Sequence, residues 1–258
     1  MNHEEAERLS ARDNPLLQRI RKLGAEPAAY RKLGSIWLEG DHLVDAALRR
    51  RWVLETLVMT ESAWRERVDW RLWADQAQRC VQLPEPLFRS LSTLESPARI
   101  GALVRCPVNA ALLPDQPALV LDRLQDAGNV GSILRSAAAF GVKQVLALKG
   151  TAALWSPKVL RAGMGAHFAM CLVEGLLPED LAPLQLPLLA TSSHAGLVLG
   201  ESELPRPCNW VLGHEGQGID AELMARCSHT VSIPQPGGEE SLNVAAAAAI
   251  CLFATRSH

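Results

Sequence analysis

Six apolar runs of strand length punctuate the second half of this 258-residue chain: "ALVLD", "KQVLALKG", "HFAMCLVEG", "LPLLATSS", "NWVLGHEG" and "TVSIPQ". Each is apolar on both faces and is separated from the next by helical or loop sequence. That pattern predicts an α/β domain built on a mainly parallel sheet covered on both sides. The first half reads differently. Residues 1–35 look helical and polar, and the short apolar strands "SIWLEG" and "LETLVMT" then flank a helical "DHLVDAALRR". In the following "ESAWRERVDWRLWADQAQRC", Trp64, Trp70 and Trp73 recur at helical spacing. Partial burial against the core explains that spacing best, with a platform for stacking bases as the alternative. "LSTLESPARIGALVRCP" predicts a helix start followed by a strand. Between the halves, "PVNAALLPDQP" has three prolines and no periodicity. A linker is therefore predicted at 107–117, with a first domain at 1–106 and the α/β domain at 118–258.

Composition narrows the class. A chain of this length buries a substantial core, and no apolar run reaches the length of a bilayer span. The N-terminal "MNHEEAERLS" is acidic and polar, unlike a secretory signal, so a soluble cytoplasmic protein is expected. Six scattered cysteines without a CxxC pair predict buried reduced thiols, and seven histidines without ligand spacing predict no structural metal. The net charge is −2, which is not the balance of a strongly basic nucleic-acid binder. It is unevenly spread: 17 Lys+Arg against 15 Asp+Glu up to residue 110, then 9 against 13. "RIRK", "YRK" and "RRR" concentrate positive charge in the first half, either as solvated helix faces or as contacts for phosphates.

In an open parallel sheet, ligands gather outside the carboxyl ends of the strands. Three loops there carry candidate chemistry. "LDRLQDAGNVGSILRSAAAFGV" places Gly128, Asn129 and Gly131 in a loop after a strand, then a helix closed by Gly141. Within that helix Arg135 sits among small and apolar neighbours, where a full charge is costly unless paired, so it is either a functional cation or a snorkelling or salt-bridged arginine. "NWVLGHEGQGID" surrounds Glu215 with glycines that fit neither a dinucleotide fingerprint nor a triphosphate loop. "IPQPGGEESLNVAAAAAI" bends at Gly237 and Gly238 and enters an alanine-rich helix through Ser241, Leu242 and Asn243. A polar residue at that junction is explained either by helix capping or by a ligand at the helix start.

Taken together, N-x-G-x-x-x-R, G-x-E-G-x-G and I-P-x-x-G-x-x-x-S-L-N, in this order, closely resemble the three motifs of the SpoU/TrmH family. These are AdoMet-dependent RNA 2′-O-ribose methyltransferases of the SPOUT superfamily. "WSPKVLRAGMGAHFAM" also follows a familial pattern. "WLEGDHLVDAAL" and "LSTLESPARIGALV" look like the family's small ribosomal-protein-like substrate-binding domain. The resemblance implies a mainly parallel α/β domain with a deep trefoil knot, a homodimer formed through it, and structured RNA, ribosomal or transfer, as substrate. S-Adenosyl-L-methionine (AdoMet) would lie against Thr191, Leu212, Gly213, Ile233 and Leu242, and catalysis would fall to Asn129, Arg135, Glu215, Ser241 and Asn243.

Three positions depart from the family pattern: Ala127 stands where proline is usual, Gly163 where serine is frequent, and Gln235 where methionine or another apolar residue is common. None removes a proposed catalytic group. Two other readings are a non-catalytic RNA-binding scaffold on the same fold and a base-methylating enzyme of the superfamily. Retention of Arg135, Glu215 and Asn243 weighs against the first, and Ser-Leu-Asn in the last motif against the second.

Overall fold

The computed structural model describes residues 6–107, 110–192, 196–237 and 241–256, so Gly238 of the predicted bend and residues 108–109 of the predicted linker lie outside the described residues. The chain forms two compact units. The first comprises Met1–Val108 together with Trp155–Phe168, and the second comprises Asn109–Leu154 with Ala169–His258.

In the first unit the elements run β1 (Glu7–Arg8), α1 (Pro15–Ala25), α2 (Ala29–Leu33), β2 (Ser35–Glu39), α3 (Asp41–Arg49), β3 (Leu54–Thr60), α4 (Glu61–Glu66), α5 (Val68–Ala74), β4 (Cys80–Leu83), α6 (Glu85–Arg89) and β5 (Ile100–Arg105). They build a five-stranded sheet in the order β1-β4-β3-β5-β2. The "SIWLEG" and "LETLVMT" strands and the helix between them form as expected. Local chemistry sets the helix starts: Asn14 and Thr60 cap α1 and α4 with side-chain oxygens that accept from Leu16 and Ala63 N–H at 2.9 and 3.1 Å. The helix start expected at "LSTLE" does not form. Ser92 donates to the Glu39 carboxylate and accepts from Leu94 N–H at 3.0 Å, a local turn that competes with helix, and Pro97 follows. Trp70 is buried while Trp64 and Trp73 are half-buried, with Trp70 stacked on Trp73 and covered by the Arg67 guanidinium 3.8 Å above its ring. Packing therefore accounts for the tryptophan spacing. Some of the clustered basic side chains are also engaged: Arg21 donates to Arg12 O at 2.8 Å, and Arg49 pairs with Asp45 at 2.8 Å.

Trp155–Phe168 completes this unit, with Trp155 and Phe168 ringed around Trp52 at centroid distances of 5.6 and 5.0 Å. Its helix α8 (Pro157–Gly163) starts at the cap Ser156, which accepts from Val159 N–H at 3.4 Å.

The second unit contains all six expected strands, as β6 (Ala118–Leu121), β7 (Gln144–Leu148), β8 (Cys171–Leu176), β9 (Leu188–Ser192), β11 (Asn209–Leu212) and β12 (His229–Ser232). A two-residue strand not expected from the sequence, β10 (Leu197–Val198), joins them. Every pairing in the resulting seven-stranded sheet is parallel, in the order β10-β12-β9-β11-β6-β7-β8. Val120, Leu146 and Val211 are fully buried at its centre, which is why these strands read as continuous apolar runs. Helices α7 (Ala127–Ala139), α9 (Ala221–Arg226) and α10 (Val244–Thr255) complete the unit, with α10 packed on α7. No helix among the described residues is long and apolar enough to cross a membrane.

Helix α7 begins earlier than the sequence suggests. Asp126 accepts from Asn129 N–H at 2.7 Å and caps the helix, so Gly128, Asn129 and Gly131 lie in its first turns instead of in a loop. Its end is as expected, with Gly141 in the left-handed region at φ 79°.

All six cysteines are free thiols. Burial pushes Cys80 and Cys251 up to about 12. A raised thiol value favours the protonated form in the folded state only. The stabilisation is complete below the ordinary thiol value near 9 and is lost as pH rises towards 12. Urea unfolding should therefore show stability falling above pH 9 by up to about 1.4 kcal/mol per pH unit for each of these thiols. Cys80→Ala and Cys251→Ala should each flatten that slope; an unchanged slope in both would exclude this origin.

Candidate active site at the strand carboxyl ends

Four adjacent strands, β12, β9, β11 and β6, point their carboxyl ends the same way and lead into the loops singled out by sequence. β6 runs into α7 with Asn129, β11 into Gly213 to Gly218 with Glu215, and β12 into Ile233 and then α10 with Asn243 at its cap. The topology alone gathers segments that are distant in sequence.

A hydrogen-bond chain joins the three. Asn243 Nδ2 donates to Asn129 Oδ1 at 3.0 Å across 114 residues, and Asn129 Nδ2 donates to Glu215 Oε1 at 3.3 Å. The other end of the Asn243 amide is also used, since its Oδ1 accepts from Ala245 and Ala246 N–H at 2.9 and 3.3 Å. Capping and site chemistry, which sequence presents as alternatives, thus fall on one side chain. Both amides are fixed in orientation, and the row ends on an exposed carboxylate.

Arg135 and Ser241 do not join this chain. Both are exposed and neither has a side-chain partner among the described residues. Of the readings open for Arg135, the one that reaches solvent fits: its side chain is exposed, so its charge stays hydrated. It lies six residues beyond Asn129, an axial rise of about 9 Å and about 120° away around the helix. Within one chain, then, the two side chains occupy different faces of α7.

Residues that sequence reasoning passed over hold the glycine loop in shape. Asp122, 2 % exposed, accepts from Arg123 Nε and Nη2 at 2.9 and 3.0 Å and from Asp220 N–H at 2.7 Å. Arg123 reaches on to Gln217 Oε1 at 3.2 Å, and hydrogen bonding to Asp122 raises its already high pKa. His214 Nδ1 accepts from Gly216 and Gln217 N–H at 3.0 and 3.2 Å, which places its proton on Nε2. The available signal was "LDR" at a strand end and a histidine beside the glutamate. Asp122→Ala removes the acceptor of a part-buried N–H and the carboxylate that holds Arg123, so urea denaturation should show a loss of about 1–2 kcal/mol. A change below about 0.5 kcal/mol, the level of an ordinary surface substitution, would contradict this role.

The positions assigned to a cofactor lie on the same side. Thr191, next to last in β9, donates from Oγ1 to Val211 O at 3.1 Å. Leu212 is fully buried and its carbonyl accepts from Asp122 N–H at 2.8 Å, so the half-open position here is Gly213, just beyond the strand. A Cβ on Gly213 would lie 2.5 Å from Gly218 C and Ile219 N, which identifies it as a packing glycine. Ile233 is half-buried, Leu242 is 39 % exposed, and Gln235 Oε1 is closed off from solvent without a hydrogen-bond partner. A half-buried isoleucine, an exposed leucine and one unsatisfied acceptor in the same motif fit a ligand with an apolar ring system and a hydrogen-bond donor. Among the described residues, no three His, Cys, Asp or Glu side chains gather to share a metal ion.

Comparison with known proteins agrees with this geometry. Residues 116–253 match the model of the SpoU rRNA Methylase family, and residues 7–102 match that of an MRM3-like substrate binding domain. The 23S rRNA (guanosine(2553)-2′-O)-methyltransferase RlmP of Bacillus subtilis is 30 % identical over 87 % of this chain and 90 % of its own. A TrmH-family RNA methyltransferase structure from Porphyromonas gingivalis superposes with a TM-score of 0.81 at 30 % identity, covering 95 % of this chain and 98 % of that one. AviRb from Streptomyces viridochromogenes, solved with AdoMet, shares the fold at a TM-score of 0.81 and 24 % identity, over 94 % and 97 % of the two chains. The three converging loops, the parallel sheet that gathers them and the match over 116–253 make this chain a member of the SpoU rRNA Methylase family.

Proposed function

We propose that this protein transfers a methyl group from AdoMet to the ribose 2′-hydroxyl of a nucleotide in structured RNA, with ribosomal RNA as the substrate class. The observation that carries the reading is the Asn243–Asn129–Glu215 chain, in which each motif contributes one side chain. Rigid, pre-oriented polar groups at the carboxyl ends of a parallel sheet suit a reaction whose main demand is in-line alignment. The relatives favour ribosomal over transfer RNA, since RlmP is a 23S rRNA 2′-O-methyltransferase.

When bound, AdoMet supplies an electrophilic methyl group on a positively charged sulfur. The chain's own residues position the acceptor and handle its proton. Glu215 is exposed and ends the amide row, placed either to accept the proton released from the 2′-hydroxyl or to hold Asn129 in register. Arg135 acts as a planar guanidinium fork on the neighbouring phosphate, stabilising negative charge that develops on the ribose oxygen. Ser241 and Leu242, both exposed at the start of α10, face RNA and cofactor respectively.

The homodimer belongs to the same reading. Ile250 and Phe253 on α10 are 39 % and 54 % exposed, an apolar face suited to a second copy. Arg135 points away from its own amide row, as a residue serving the partner's site would. The knotted path and the cytoplasmic location remain parts of this proposal.

Labelled methyl transfer to total RNA, followed by alkaline hydrolysis, tests it. The expected product is an alkali-resistant dinucleotide carrying the label, because methylation removes the attacking ribose oxygen. Label recovered only in mononucleotides would overturn ribose methylation in favour of a base-methylating enzyme. RNA binding with no AdoMet affinity by calorimetry would favour a scaffold.

A further inference from the structure

One side chain beside the cofactor positions is left with an unmet need. Gln235 follows Ile233 by two residues in the loop after β12, the strand beside β9, which carries Thr191; β11, which carries Leu212 and leads into Gly213, lies on the far side of β9. Its Oε1 is shut off from water, and no donor among the described residues reaches it. A buried acceptor without a donor is destabilising, and native proteins keep few of them. The surrounding loop does not relieve it: Pro234 and Pro236, on either side, have no backbone N–H to offer.

A ligand can bring the donor. AdoMet has three kinds: the adenine 6-amino group, the ribose hydroxyls and the ammonium. The ammonium is a cation, best met by an anionic acceptor, and glutamine is neutral. Side-chain amides of Asn and Gln are complementary to the amino edge of adenine, the pairing by which they recognise this base in nucleic acids. The 6-amino group has two N–H bonds, so a peptide carbonyl and a side-chain oxygen can be served at once.

We infer that Gln235 Oε1 accepts a hydrogen bond from the adenine 6-amino group of the cofactor, making Gln235 a determinant of adenine specificity in this chain. This rests on the AdoMet reading above. The hydrogen bond forms on binding and relieves the unsatisfied oxygen. Removing the amide should therefore act in opposite directions on affinity and on the stability of the free protein.

Calorimetry with S-adenosylhomocysteine and its 6-oxo counterpart S-inosylhomocysteine tests the inference, using the full chain and Gln235→Met. The wild-type protein should prefer the adenine ligand. In Gln235→Met, S-adenosylhomocysteine should bind about fivefold more weakly while S-inosylhomocysteine is unchanged, and ligand-free thermal unfolding should occur at the same or a higher temperature. Gln235→Glu retains an acceptor and should keep the preference for the amino ligand. Equal weakening of both ligands in Gln235→Met, or no change in either, would overturn the inference. Failure of wild-type protein to bind S-adenosylhomocysteine would instead refute the AdoMet reading itself.

Discussion

Arg135→Lys should lower the rate of methyl transfer by about 10²-fold while leaving AdoMet affinity and thermal stability unchanged. Arg135 is exposed, and it lacks a side-chain partner among the described residues, so no packing or ion pair is lost on substitution. Lysine keeps the charge and the helix propensity. What disappears is the planar fork that can hold a phosphate through two parallel bonds while directing charge at the ribose oxygen. Single-turnover methylation measured beside calorimetric AdoMet binding separates these quantities. A lysine variant with near-wild-type turnover would show that a point charge suffices, and the assigned role would then be wrong.

Gly213→Ala should have the opposite profile, damaging the fold of the site before any chemistry. The added methyl carbon would sit 2.5 Å from two backbone atoms, Gly218 C and Ile219 N. Neither can yield cheaply. Gly218 is tied to His214 by reciprocal backbone bonds of 3.1 and 2.9 Å, and the following Asp220 N–H is held by Asp122. Relief requires opening the glycine loop, at a cost of about 3 kcal/mol, and an opened loop no longer presents Glu215 to Asn129. Urea denaturation should register the loss, and AdoMet binding should weaken beyond detection. Gly216→Ala is the matched control, because there the nearest atoms are His214 side-chain atoms at 3.9 Å. If both alanine variants unfold with the wild-type protein, the close approach at Gly213 is not what shapes the loop.

The parallel sheet was legible because burial on both faces leaves continuous apolar runs, and all six appear as strands. The first unit was harder to read. β4 and α6 are short, and "LSTLE" has helix-like composition that Ser92 diverts into a turn through its bond to Glu39, a partner 53 residues away. The motifs located Asn129, Glu215 and Asn243, which the fold then brings into one hydrogen-bonded row. They could not reveal Asp122, Arg123 or His214, whose work is to hold backbone in place and depends on neighbours up to 98 residues distant. The solvent-facing direction of Arg135 was one of the readings its neighbours left open, and it is decided only when the helix is set against the rest of the unit.

The double use of Asn243 has a dynamic consequence. One amide both latches the first turn of the terminal helix and anchors the polar row above it, so fraying of that turn and loss of alignment are the same event. The fraction of molecules ready to react at any instant cannot exceed the fraction in which this helix end is wound. Warming or mild denaturant should accordingly silence turnover ahead of global unfolding, with amide exchange at Ala245 and Ala246 keeping pace with the decline.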